Sequence, residues 1–109
     1  MGGVDNVKQS AVTLDSGQKR VRLKGDIDHH SAAGLREKLD KLIDREMPEC
    51  LILDFSEVGL MDSSGIGLIL GRYKKLKARG GRLCVCNLSR QMDLVFRVSG
   101  LYQVIGKVK

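Results

Sequence analysis

Asp62, Ser63, Ser64 and Gly65 stand where an apolar run gives way to helical spacing, in the stretch LMDSSGIGLILG from residue 60 to residue 71. Loops that follow strand C-termini are where open α/β sheets place their functional groups. A serine here could be a nucleophile, a phosphate ligand, a helix cap or a target that another protein modifies. The nucleophile elbow of a serine hydrolase needs Gly-x-Ser-x-Gly, but Met61 lies two residues before Ser63 and Asp62 two before Ser64. The histidines are the neighbours His29 and His30, which do not suggest a catalytic triad. Gly-x-x-x-x-Gly-Lys-Ser/Thr, the phosphate-binding loop, does not occur. Gly65, Gly67 and Gly71 approximate the dinucleotide fingerprint, but the third glycine comes one position late and the next strand ends in Asn87 without the expected acid. The simpler reading of Gly67 and Gly71 is that they let a helix approach a neighbouring element closely. A hydroxyl at a helix N-terminus can cap backbone N–H groups, which explains one serine and not two. Asp26 and Asp28 lie in a second connector, also expected to leave a strand end and to sit beside the serines.

The cysteines offer less. Cys50, Cys84 and Cys86 make an odd count for a disulfide framework. Cys84 and Cys86 alternate along one expected strand and share a face, with Cys50 distant in sequence. His29 and His30 do not complete a recognisable metal spacing with them. The expectation is buried core thiols and no metal site.

These groups must be positioned by about a hundred residues, which suggests one domain over residues 1–109. The 42% hydrophobic content is enough for one core. There is no run of about 18 apolar residues to span a membrane and no charged-then-apolar leader. MGGVDN opens like a myristoylation site but has Asn6 where Ser or Thr is wanted. The cytoplasm is the expected compartment. The formal net charge of +6 raises nucleic acid as a partner. Aromatics at 4% and the absence of Trp leave no stacking platform, so nucleic acid is not expected.

Residues 10–15 and 19–25 alternate loosely around Ser16-Gly17 and read as a hairpin. Ser31 is expected to cap a helix with Leu35, Leu39, Leu42 and Ile43 on its apolar face, stopped before Pro48. CLILDF, residues 50–55, suits a strand covered on both faces. A second helix is expected over 64–78, with Ile66, Ile69, Tyr73 and Leu76 on its core face. Its Leu68, Arg72, Lys75 and Arg79 form a mostly basic face, read as solvated or as a contact for an acidic partner. Gly80-Gly81 ends it. A strand over 82–88, a helix over 89–100 capped by Ser89 and a final strand over 102–108 complete the chain. This alternation implies an α/β fold: a mixed, mostly parallel sheet of four or five strands with about three helices.

KGDIDHHSA, LMDSSGIGLILGRYKKLKARGG and VSGLYQVI together resemble the anti-sigma factor antagonists of spore-forming bacteria, single-domain members of the STAS family. The likeness is strongest to members that antagonise the anti-sigma F factor in early sporulation. It runs from about residue 7 to residue 109, although relatives often carry a further C-terminal helix. The resemblance implies a STAS fold and a regulatory protein that is not an enzyme and needs no cofactor. It implies that Ser63 is phosphorylated by the anti-sigma factor, itself a serine kinase. Asp28 and Asp62 would flank that site and contact the kinase, and Ser64 and Gly65 would open the helix within the partner surface. The implied cycle is partner switching: the unphosphorylated chain binds the kinase and frees a sigma factor, phosphorylation ends binding, and a metal-dependent PP2C-type serine phosphatase resets it. The alternatives are a STAS module of a different stress or signalling complex, and a small nucleotide-binding protein, against which the missing phosphate-binding loop argues.

Overall fold

The computed structural model describes the backbone of residues 7–12 and the whole of residues 17–108. The elements are β1 (Val7–Val12), β2 (Gln18–Lys24), α1 (His29–Glu46), β3 (Cys50–Glu57), α2 (Ser63–Ala78), β4 (Arg82–Cys86), α3 (Arg90–Val98), a 3₁₀ turn (Leu101–Gln103) and β5 (Gly106–Lys107). The strands form one sheet in the order β1-β2-β3-β4-β5. β1 runs antiparallel to β2, and every other neighbouring pair is parallel. This is the mixed, mostly parallel sheet with three helices that the alternation implies. Among the described residues no helix is long and apolar enough to cross a membrane.

Period-two alternation sorts the strand residues between two faces. Leu51, Leu53 and Phe55 of β3 join Val21, Leu23, Leu83 and Val85 in the main core. All three helices press on that face, through Leu35, Leu39 and Ile43, through Leu68, Ile69 and Leu76, and through Met92 and Phe96. Phe55 and Phe96 meet edge to face at 5.5 Å and pin α3 to the sheet. Cys50, Ile52, Cys84 and Cys86 form a smaller apolar cluster of alternate residues on the strands. Beside them Asp54 is buried but satisfied, accepting from Ser56 N–H (2.9 Å), Asn87 Nδ2 (3.1 Å) and Arg20 Nη2 (3.2 Å). Burial pushes the Asp54 pKa up, and these hydrogen bonds outweigh it and hold the carboxyl below its usual range.

Several sequence expectations need correction. The first strand runs over 7–12 rather than 10–15, and residues 13–16, including Ser16 of the expected turn, lie outside the described residues. The α1 cap is Asp28, not Ser31. The Asp28 carboxylate accepts from the N–H groups of both His30 and Ser31, while Ser31 Oγ accepts from Asp28 N–H in a reciprocal capping box. The last strand is two residues long, not seven. Leu101 and Ile105 are the buried residues there: a 3₁₀ turn over Leu101–Gln103 is followed by an α-type bond in which Ile105 N–H donates to Leu101 C=O at 2.8 Å.

Much of the basic face of α2 is engaged within the chain, although Arg79 stays exposed. Leu68 and Arg72 are buried. Arg72 Nε lies 3.0 Å from Asp40 of α1, Lys75 lies 3.7 Å from Asp40 and 3.2 Å from Asp44, and Arg79 also pairs with Asp44. The acidic groups that meet this face are Asp40 and Asp44 of α1 in the same chain. Cys50, distant in sequence, has its Sγ 3.6 Å from Cys84 Sγ, because parallel pairing of β3 with β4 brings the two together. Burial, then the neighbouring Cys84, pushes the Cys50 thiol up to about 11.

Candidate functional site at the paired strand ends

β2 and β3 lie side by side and in parallel, so the connectors that leave them emerge at the same end of the sheet. The two connectors are stitched together. Ile27 N–H donates to Leu60 C=O at 2.9 Å and Asp62 N–H donates to Ile27 C=O at 3.1 Å, making a parallel bridge between Ile27 and Met61. Asp26 adds a clasp: its Oδ1 accepts from Leu60 N–H at 3.1 Å, and its carbonyl accepts from Ser31 Oγ at 3.0 Å. Asp28 and Asp62 each follow a residue of the bridge. Each then caps a helix, α1 and α2 respectively. The two acids therefore flank one surface, and Ser63 follows directly on Asp62.

Capping duties are divided along Asp-Ser-Ser. The Asp62 backbone is extended, and its carboxylate accepts from Ser64 N–H at 2.8 Å. The cap is thus the aspartate, and neither serine serves as one. Ser63 occupies the first helical position and is exposed, and among the described residues its hydroxyl has no hydrogen-bond partner. Ser64 is half-buried. Asp28 is held below the usual carboxylate range, first by the Ser31 N–H and then by that of His30, so it is firmly anionic at neutral pH.

Gly65 is the glycine that permits close packing. A Cβ there would fall 2.1 Å from Met61 Cγ and 3.1 Å from Ile27 Cγ2. Only a bare Cα lets the first turn of α2 settle onto the bridged connectors. Gly67 and Gly71 behave otherwise, because a Cβ at either would meet nothing within 4 Å. They border an open groove between α1 and α2 and do not allow a close approach, contrary to the sequence expectation.

The five site residues expected from sequence, Asp28, Asp62, Ser63, Ser64 and Gly65, thus gather at one end of the sheet, on one loop pair. Sequence reasoning missed Leu60, an apolar side chain 53% exposed beside them. Its signal was present, an apolar residue in a connector ahead of Asp62. It also missed the Ile27–Met61 bridge, which no local pattern announces. His29 and His30 are exposed, with rings edge-on at 5.9 Å. Among the described residues no group of three His, Cys, Asp or Glu converges to hold a metal.

An exposed hydroxyl between two capping aspartates, on a hydrogen-bonded loop pair, can accept a group without breaking an intramolecular bond among the described residues. Comparison with known proteins agrees in fold and sequence. An anti-sigma F factor antagonist of Paenibacillus polymyxa is 38% identical over 85 residues, 78% of this chain and 73% of the relative. An anti-sigma-B factor antagonist of Bacillus subtilis is 38% identical over 88 residues, 79% of this chain and 77% of the relative. The structure of the anti-sigma factor antagonist SpoIIAA in its unphosphorylated form superposes with a TM-score of 0.75 at 32% identity, covering 92% of this chain and 87% of that one. The phosphorylated form of SpoIIAA, described as a Bacillus cell fate determinant, gives 0.68 at 33% identity, covering 92% and 90%. Residues 9–109 match the STAS domain model, and the chain belongs to the STAS domain family.

Proposed function

We propose that this chain is an anti-sigma factor antagonist switched by phosphorylation of Ser63. Unphosphorylated, it docks its paired loops on an anti-sigma factor that is also a serine kinase, and so releases a sigma factor. The kinase transfers a phosphoryl group from its own ATP to Ser63, and the complex dissociates. A PP2C-type serine phosphatase returns the chain to the binding form. The chain acts in the cytoplasm as ligand and substrate, with no chemistry or cofactor of its own. Asp28, Asp62, Ser64 and Gly65 form the docking surface around Ser63.

The observation that carries this reading is the state of Ser63: exposed, unbonded among the described residues and at the first position of α2 between two capping aspartates. A phosphate there adds a charge of about −1.5 to −2 to a surface that already holds two carboxylates. Repulsion and desolvation then oppose a partner whose docking depends on that surface. The same phosphate sits at a helix N-terminus, where the dipole favours it, so the free domain tolerates it. The names of the similar proteins, antagonists of anti-sigma F and anti-sigma-B factors, and the existence of SpoIIAA in both phosphorylation states support the reading.

Incubation with an anti-sigma kinase and ATP, followed by peptide mapping, tests it. One phosphorylated residue, Ser63, is expected, with labelling abolished by Ser63→Ala and retained by Ser64→Ala. The reverse pattern refutes the assignment. The equal identity to the sigma-B-type relative supports a second reading, in which the sigma factor released serves a stress response rather than sporulation. Binding measured against both kinds of anti-sigma factor separates the two.

A further inference from the structure

Alternation along β3 and β4 puts Cys50, Ile52, Cys84 and Cys86 on the sheet face opposite Leu51, Leu53, Leu83 and Val85, which the helices cover. The docking surface around Ser63 uses none of these thiols. In the parallel ladder Cys50 stands opposite Arg82 and Cys84 opposite Ile52, so the two cysteines face each other diagonally across neighbouring strands. The Cys50 S–H donates to Cys84 Sγ at 3.6 Å.

The three thiols are not equivalent. Cys50 is the hydrogen-bond donor of the pair and is 3% exposed. Burial, then Cys84, raises its pKa, so it keeps its proton. Cys84 is the acceptor, and a hydrogen bond received by sulfur favours its thiolate. It is also the least buried of the three, at 8%. Its register partner on the two-residue edge strand β5 is the exposed Gly106. A Cβ at Gly106 would lie 3.0 Å from Cys84 Sγ, so a glycine there leaves the sulfur without a side chain over it on that side. The exposed Arg82 places a cation beside the pair, and its charge acts against the rise at Cys50. Cys86 has the opposite surroundings. It is fully buried and stands opposite Asp54, and burial first and the Asp54 charge second push its thiol up. Reactive cysteines sit near cations with some exposure, and those that sense oxidants often stand next to a second, resolving cysteine. Cys84 meets both conditions and Cys86 meets neither.

We propose that Cys84 and Cys50 are a peroxide-reactive thiol pair that closes to an intramolecular disulfide, with Cys84 oxidised first and Cys50 resolving it. The Cys84 thiolate attacks one oxygen of hydrogen peroxide. The S–O bond forms, the O–O bond breaks, and the departing hydroxide takes the thiol's proton and leaves as water. Cys50 Sγ then attacks the sulfenic sulfur of Cys84. The S–S bond forms, the S–O bond breaks, and hydroxide leaves as water with the Cys50 proton. Two thiols are oxidised and one peroxide is reduced to two waters. The sulfurs must approach from 3.6 Å to the roughly 2.05 Å of a disulfide, and the strands that carry them are already hydrogen-bonded neighbours. Cys50 is the first residue of β3, whereas Ser63 follows the far end of that strand, so the pair stands or falls independently of the phosphorylation reading.

The test treats the reduced whole chain with hydrogen peroxide at neutral pH, alkylates the remaining thiols in denaturant and maps the peptides by mass spectrometry without reduction. A cross-linked Cys50–Cys84 peptide is expected, with Cys86 alone alkylated and all three free thiols recovered by dithiothreitol. Cys50→Ala, which keeps the cluster apolar, should instead accumulate Cys84 as a sulfenic acid that dimedone traps. Cys84→Ala should leave Cys50 and Cys86 reduced over the same interval. The wild-type map decides the matter even where a variant does not fold. Oxidation of the three thiols at equal rates, a bond that includes Cys86, or dimers linked between chains in place of the internal bond overturns the proposal. So does retention of all three thiols over the time in which the peroxide consumes free cysteine added as a reference.

Discussion

Replacing Asp62 with alanine separates the two roles that a helix N-terminus confuses, holding the helix and carrying the signal. In the wild type the Asp62 carboxylate accepts from Ser64 N–H at 2.8 Å, and Ser63 offers no comparable bond among the described residues. Losing an aspartate cap to alanine costs about 0.5–2 kcal/mol, typically about 1. For a domain of this size a loss of about 1 kcal/mol lowers the melting temperature by roughly 4–8 °C. Asp62→Asn keeps a capping oxygen and loses only the charge at the dipole, so it should cost a fraction of that. Ser63→Ala removes an exposed hydroxyl and should stay within about 0.5 kcal/mol of wild type. Thermal unfolding followed by circular dichroism gives the three midpoints, and hydrogen exchange at the Ser64 amide reports the cap locally. Exchange at Ser64 should rise in Asp62→Ala and stay unchanged in Ser63→Ala. If Ser63→Ala lowers the midpoint as much as Asp62→Ala does, Ser63 is a structural cap and the two residues do not divide these roles.

Ser63→Asp should lose the anti-sigma partner while keeping its fold: a mismatched charge in a desolvated contact costs about 2–5 kcal/mol, roughly thirtyfold to several thousandfold in affinity by calorimetry, and wild-type affinity in this variant would exclude charge repulsion as the switch. Gly65→Ala should destabilise, because relieving a 2.1 Å contact with Met61 Cγ costs about 1–3 kcal/mol of overpacking against at most about 1 gained in helix propensity; Gly67→Ala, which meets open space, should gain up to about 1 kcal/mol, and urea titrations that rank the two the other way would refute the packing argument. Asp93 is held at about 2, first by Lys107 and then by Tyr102, with Arg97 adding to them. Its folded pKa lies below the unfolded value of about 3.9, so its stabilising effect is complete above about pH 4 and is lost as pH falls towards 2. The gap in melting temperature between wild type and Asp93→Asn should therefore close over that interval, and a gap independent of pH would rule out the linkage.

What was legible in the sequence was whatever depends on a residue and its chain neighbours. The spacing of Leu35, Leu39, Leu42 and Ile43 located α1, and all four are buried. Residues 50–55 are all buried, as an apolar run without alternation implies. Gly80-Gly81 ended α2, and Ser89 caps α3 by accepting from Met92 N–H. Much of what was not legible depends on partners far along the chain. The basic face of α2 looked like an outer surface because Asp40 and Asp44, its partners, belong to another helix. Cys50 and Cys84 meet only because β3 pairs with β4. The seven-residue strand expected over 102–108 failed because burial of Leu101 and Ile105 favoured a turn over extension.

The order Asp-Ser-Ser is itself the physical core of the site. Had Ser63 been the cap, its hydroxyl would accept from the α2 backbone, and a phosphoryl group placed on it would disturb the helix start. With Asp62 as the cap, the hydroxyl one residue on is spared that duty. Position matters as much as availability. The first helical turn presents unsatisfied N–H groups, so an added anion is received by the end of the helix that favours it. Gly65 then fixes the direction of that helix by letting it rest on Met61 and Ile27, the bridge that also sets Asp28 beside it. A charge introduced at Ser63 is thus carried by a frame whose bonds it does not touch. Under the proposed function its effect falls on the partner at Asp28 and Asp62, which is the condition for a switch that changes a partner's affinity without changing the fold.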